Sequence, residues 1–130
     1  MLEPLLIKGD EVTPFVNFNY TTGKLVMGGM AVPENVKEMF APIREWLELY
    51  QKQPQPATEF VLNFEYLNTA ATKMVFEIAN TVSNLHGREN CRVKITWKYL
   101  RGDAEMRELG EEILDEFVCL KEIAAVDSLH

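Results

Sequence analysis

A chain of 130 residues has the length of one domain and is long enough to bury a core without disulfide staples. With 47% apolar and 25% charged residues it has a globular composition, which excludes a long disordered tail. Its 20 acidic against 13 basic residues leave a net charge of −7, unfavourable for sitting on nucleic-acid phosphates or an anionic membrane and favourable for partners with basic patches.

The start, Met1 to Lys8, is apolar for only a few residues and is cut by Glu3 and Pro4, so it does not read as a signal peptide. No run approaches the length of a membrane span, and a cytoplasmic protein is expected. Cys91 and Cys119 are then expected to be buried thiols of a reducing compartment.

Leu5-Leu6-Ile7 reads as a short strand, Gly9-Asp10 as a turn, and Thr13 to Tyr20 as a second strand. Thr21-Thr22-Gly23 turns the chain into a third strand over Lys24 to Met30, giving a hairpin. Gly28-Gly29 lacks the following Lys and Ser/Thr of a phosphate loop and marks a bulge or close packing. Pro33-Glu34-Asn35 starts a helix whose apolar positions Val36, Met39, Phe40, Ile43, Trp46, Leu47 and Tyr50 recur at helical spacing. Pro42 should kink or restart it, and Gln53-Pro54-Gln55-Pro56 ends it as a stiff connector.

Thr58 to Leu67 alternates, with Phe60, Leu62, Phe64 and Tyr66 on one face. A second helix follows Asn68-Thr69 at once and runs to about His86, apolar around most of its girth and closed by Gly87. From Cys91 to Tyr99 the odd positions are apolar, while Arg92, Lys94, Thr96 and Lys98 face the other way. A strand buried on both faces would be continuously apolar, so one face of this sheet meets water. Arg101-Gly102-Asp103 turns into a third helix with Met106, Leu109, Ile113, Leu114 and Phe117 on one side, and a last strand runs from about Cys119 to Ala125. The order predicts a single α/β domain spanning 1–130: a two-layer sandwich with a mixed five- to six-stranded sheet, helices packed on one face, and right-handed crossovers around the second and third helices.

No residue set argues for catalysis. The histidines are His86, read as a charge or donor at a helix C-terminus, and His130, the last residue. There is no zinc-like Cys/His spacing, nucleophile elbow, P-loop or dinucleotide fingerprint, and no cofactor is expected. Glu111-Glu112 lies on a solvated helix face.

The junction Tyr66-Leu67-Asn68-Thr69 stands out, because it delivers a hydroxyl to a helix N-terminus, where unpaired N–H groups and partial positive charge welcome anions. Either Asn68 or Thr69 caps the helix, a contribution of about 1 kcal/mol, and a capping hydroxyl is also one that a kinase can reach. The stretch Phe64-Glu65-Tyr66-Leu67-Asn68-Thr69-Ala70-Ala71-Thr72 resembles the strand-to-helix motif of the SiaC-like regulatory phosphoproteins of bacteria. Thr13-Pro14, Pro33-Glu34-Asn35, Trp97-Lys98-Tyr99 and Glu108-Leu109-Gly110-Glu111-Glu112 agree in order and spacing, so the resemblance covers nearly the whole chain.

The resemblance implies a phosphorylation-controlled partner switch, similar in logic to anti-sigma-factor antagonists of the STAS type. A cognate protein kinase would phosphorylate Thr69, a PP2C-type phosphatase would reverse it, and the unphosphorylated form would bind and activate an output protein. In SiaC-like systems that output is a diguanylate cyclase, linking the switch to cyclic-di-GMP and biofilm regulation. Ala70-Ala71 stands where some relatives carry serines, leaving Thr72 as the close competitor. Tyr66, Leu67, Asn68, Thr69 and Thr72 are the expected partner-binding residues. The alternatives are a constitutive interaction module in which Thr69 is only a cap, an anti-sigma-factor antagonist without a cyclase link, and an enzyme using a sheet-edge pocket, which would need clustered perturbed titratable groups.

Overall fold

The computed structural model describes residues 2–129. Its elements follow the expected order: β1 (Leu5–Ile7), β2 (Phe15–Asn19), β3 (Lys24–Ala31), α1 (Val36–Lys52), β4 (Ala57–Leu67), α2 (Thr69–Ser83), β5 (Arg92–Leu100), α3 (Ala104–Leu114) and β6 (Leu120–Val126). The strands form one six-stranded sheet in sequence order. β1, β2 and β3 pair antiparallel, and β3 through β6 pair parallel. Parallel neighbours need a crossover, so α1 serves as one as well as α2 and α3.

The strand registers line up side chains across the whole sheet. Ile7, Val16, Met27, Leu62, Trp97 and Ile123 form one row, and Leu5, Phe18, Leu25, Phe60 and Ile95 the next. Both rows belong to the hydrophobic core under the helices. Burying each large apolar side chain contributes about 1.5–3 kcal/mol, which is why the alternation dictates the facing of the strands. Between them, pointing the other way, run Leu6, Asn17, Val26, Val61, Thr96 and Glu122. Their face carries no helix, yet Val61 is only 5% exposed, shielded within the sheet surface rather than by a second layer. The ion pairs Lys24–Glu59 (3.7 Å) and Lys94–Glu122 (2.8 Å) stand on this open face.

α1 is capped by Asn35, whose side chain accepts from the Glu38 N–H at 3.2 Å, and runs unbroken through Pro42. The restart suggested by the proline does not occur. Pro42 and Glu38, whose carbonyl loses its amide partner, both lie on the exposed side, where water can serve that carbonyl. The opposite side buries Phe40, Ile43, Trp46, Leu47 and Tyr50. Trp46 stacks on Tyr50 with centroids 5.2 Å apart and donates its indole N–H to the Glu3 carbonyl at 2.7 Å. The Tyr50 hydroxyl meets Thr58 Oγ1 at 2.6 Å, and burial pushes this phenol above its usual pKa. Tyr20 fastens the proline-rich connector, donating to the Gln53 carbonyl at 2.9 Å and accepting from Gln55 at 2.8 Å.

α3 lies close on the sheet because Gly110 has no side chain: a Cβ there would collide with the Trp97 indole. Trp97 Nε1 donates to the Met106 carbonyl at 2.9 Å. The helix stops at Leu114, so Phe117 reaches the core from the following turn rather than from the helix. Cys91 and Cys119 are buried free thiols. Among the described residues no helix is long and apolar enough to cross a membrane.

One-sided covering of the sheet has a direct test. Ile95→Ala should cost about 2–5 kcal/mol in denaturant melts, as a core truncation, whereas Lys94→Ala, losing an exposed ion pair, should stay within about 1 kcal/mol. Equal losses would mean that the two faces are not as unlike as the burial implies.

Candidate functional site

Because β3, β4 and β5 run parallel, the three helices that follow them all start at one edge of the sheet. The β1–β2 loop reaches the same edge, where the Val32 N–H donates to the Val12 carbonyl at 3.0 Å. Asp10 shapes that loop by accepting from the Val12 and Thr13 N–H groups, both at 2.8 Å. These two bonds to its charged form hold the Asp10 carboxyl below its usual pKa.

At this edge β4 carries one extra residue. Gly29 pairs with Phe64 and Met30 with Tyr66, so Glu65 is bulged out of the ladder. The glycines opposite make room. A Cβ on Gly28 would strike the Asn63 carbonyl, and Gly29 has a φ of +86°, which a side chain would strain. Gly28-Gly29 therefore supplies both the close packing and the bulge.

The bulge corrects the simple alternation of β4. Phe60, Leu62 and Phe64 point to the core as expected, but Tyr66 does not: it is 53% exposed, and Leu67, at 8%, takes the inward place. Met30 and Tyr66 thus come to the open side, while Ala31 and Leu67 pair on the core side. Of the expected contact residues, Tyr66 is presented to solvent and Leu67 is packed beneath it.

Asn68 is the N-cap, and Thr69 is the first helical residue. The Asn68 side chain accepts from the Ala71 N–H at 2.9 Å and donates to the Pro33 carbonyl at 3.4 Å. Its own N–H donates to the Ala31 carbonyl at 3.1 Å, and its carbonyl accepts both the Thr72 N–H and the Thr72 hydroxyl at 2.9 Å. One asparagine therefore joins the end of β3, the approach to α1 and the start of α2.

The two threonines differ accordingly. Thr72 is half-buried with its hydroxyl engaged. Thr69 is exposed, and among the described residues neither its hydroxyl nor the Thr69 and Ala70 N–H groups have a hydrogen-bond partner. The first turn of α2 holds no acidic residue, whereas Glu38 and Glu105 occupy that place in α1 and α3. A free hydroxyl, free amides and an uncompensated helix end coincide at Thr69.

Other titratable groups with displaced pKa values have local causes. The hydrogen bond and charge of Glu122 push Lys94 up, and Lys94 in turn holds Glu122 down, on the open face. They lie apart from Asp10 and Tyr50, so no common cleft gathers them. α2 ends at Ser83 rather than near His86, and beyond it His86 Nδ1 accepts the Val93 N–H at 3.0 Å, tying the turn after α2 to β5. His130 lies outside the described residues.

A family profile described as SiaC family regulatory phosphoprotein matches residues 7–124. The chain belongs to that family. It is 31% identical over 117 residues to an uncharacterized protein of Pseudomonas aeruginosa strain UCBPP-PA14, covering 88% of this chain and 90% of that one. Among solved structures it resembles SiaC of Pseudomonas aeruginosa, with a TM-score of 0.85 and 30% identity over 95% of this chain and 99% of that one. It also resembles SiaC as the activator in a complex with the diguanylate cyclase SiaD, with a TM-score of 0.86 and 30% identity over 94% of this chain and 99% of that one. For apo-SiaC the TM-score is 0.83 at 28% identity over 95% and 99% of the two chains. The family relation covers both the one-sided sandwich and the strand-to-helix junction.

Asn68→Ala should lower unfolding free energy by about 0.5–2 kcal/mol through loss of the cap, and Asn68→Asp, which keeps an acceptor at the helix end, by less than half as much. Denaturant titration of the three proteins measures this. An alanine variant as stable as wild type would show that the asparagine does not hold the junction.

Proposed function

We propose that this chain is a phosphorylation-controlled partner switch. Its unphosphorylated form binds and activates a diguanylate cyclase, a cognate kinase phosphorylates Thr69, and a PP2C-type phosphatase reverses the modification. The observation that carries this reading is the state of Thr69: exposed, unbonded, and first in a helix whose terminal amides are free. Membership of a regulatory phosphoprotein family and likeness to an activator of a cyclase supply the rest.

The physics is that of one charge read in two environments. Phosphorylation adds about −1.5 to −2 charges and three acceptor oxygens. The free end of α2 offsets part of that in the isolated protein, by about 0.3–1 kcal/mol at an exposed site. A partner whose apolar part packs over the same edge must strip water from the dianion, which is unfavourable by several kcal/mol. Folding therefore tolerates the phosphate and association does not. Tyr66, exposed beside this edge, is the natural anchor for the partner, and Asn68 holds the edge in shape.

Thr69→Asp should keep a thermal midpoint near wild type because its carboxylate sits at a helix N-terminus, and Thr69→Ala should fold equally well. Pull-down against the cyclase should separate them, with the alanine variant retained and the aspartate variant lost. Peptide mapping after treatment with the kinase should place the phosphate on Thr69 and not on Thr72. Retention of both variants together with a phosphate on Thr72 would reject the assignment and leave a constitutive binding module.

A further inference from the structure

The uncovered sheet face is charged over its middle, where Lys24, Glu59, Lys94 and Glu122 stand, and its exposed apolar side chains lie at the sheet's margins. Of the large apolar side chains left exposed, Leu6 and Leu120 stand in register with open-face residues, Asn17 and Lys94 respectively. Tyr66 has been turned onto that side by the Glu65 bulge, and Val12, 44% exposed, lies on its rim. A shallow depression lined by Asp10, Glu11, Val12, Met30 and Glu65 lies where this face meets the Thr69 edge. Its apolar members are Val12 and Met30, and Tyr66 is the strand partner of Met30. Its other members are acids, in a chain whose net charge is already −7.

We infer that the partner contact does not stop at the Thr69 edge but continues onto the open sheet face, where this depression receives an apolar side chain flanked by Lys or Arg. The inference rests on the switch described above and names the chemistry of the partner segment. Two observations select the occupant. Tyr66 belongs at once to the Thr69 edge and to the open face, so a body seated on one reaches the other. The acidic rim complements a basic segment and repels an acidic one, which argues against a second copy of this acidic chain.

Rim carboxylates and phosphate then play different parts. The Glu11 side chain, on an exposed loop residue, stays hydrated and steers a basic partner in a salt-dependent way. A phosphate on Thr69 lies within the packed part of the contact and must be dehydrated. More negative charge at the rim helps association, and more negative charge at Thr69 prevents it.

The test uses the unphosphorylated full-length chain and the SiaD-like diguanylate cyclase of the same genome, with affinity measured at low and high salt. Glu11→Lys should weaken binding roughly tenfold at low salt and flatten the salt dependence. Val12→Ser should weaken it about fivefold with the salt dependence kept. Leu49→Ser, an exposed apolar site on α1 at the covered side, should bind as wild type does. Thermal midpoints near wild type for all three would exclude unfolding, since both loop substitutions leave the backbone bonds of Asp10 and Val12 in place. Wild-type affinity for the Glu11 and Val12 variants, while the Thr69 edge still discriminates, would overturn this extension and spare the switch. A wild-type chain that fails to bind the cyclase would overturn both.

Discussion

A single extra residue in β4 decides how this molecule faces the outside at the helix end that carries the Thr69 hydroxyl. Strand geometry alternates side chains without exception unless the ladder is broken. With no bulge at Glu65, Tyr66 would follow Phe60, Leu62 and Phe64 into the core, and Leu67 would be pushed to the surface. With it, an amphipathic aromatic is left outside and a leucine seals the core just before Asn68. The bulge in turn depends on Gly28 and Gly29, whose missing side chains admit the Asn63 backbone and the positive φ. The chain thus forgoes regular pairing at the point where the helix begins, and gains there a fixed, exposed edge.

Asn68 converts that edge from a strand end into a platform. Through its side chain and backbone it is bonded to Ala31, Pro33, Ala71 and Thr72, so the ends of β3 and β4 and the start of α2 are tied together. Thr69 projects from the platform, and among the described residues its hydroxyl has no hydrogen-bond partner. A modification there changes charge without removing any bond that holds the fold together. The proposed switch requires that the fold not depend on the modified hydroxyl, and this follows from giving the cap to the asparagine and the free position to the threonine.

Much of this was legible in the sequence because it rests on periodicity and end signals. Alternation in Cys91 to Tyr99 correctly placed Val93, Ile95 and Trp97 in the core, and Asn35, Asn68 and Asp103 sit at the helix starts that their side chains cap. What was illegible depends on three-dimensional context. Pro42 falls on the exposed face of α1, where water can serve the carbonyl it leaves unpaired, so the helix continues. Tyr66 breaks the alternation because of pairing with another strand, although Gly28-Gly29 already hinted at an irregularity there. His86 accepts through Nδ1 because β5 returns past it with a free N–H. Val12 and Met30 carried no local signal, since only the fold brings the β1–β2 loop to the end of β3.

In the proposed switch, one dianion at Thr69 is compatible with the folded chain and incompatible with the partner complex. Its most direct measurement compares the chain phosphorylated stoichiometrically by its own kinase with the unphosphorylated chain, titrating each with the cyclase and melting each alone. The account requires closely similar thermal midpoints and at least about a hundredfold loss of affinity on phosphorylation. Equal affinity of the two forms, or a phosphorylated chain that no longer folds, would contradict it.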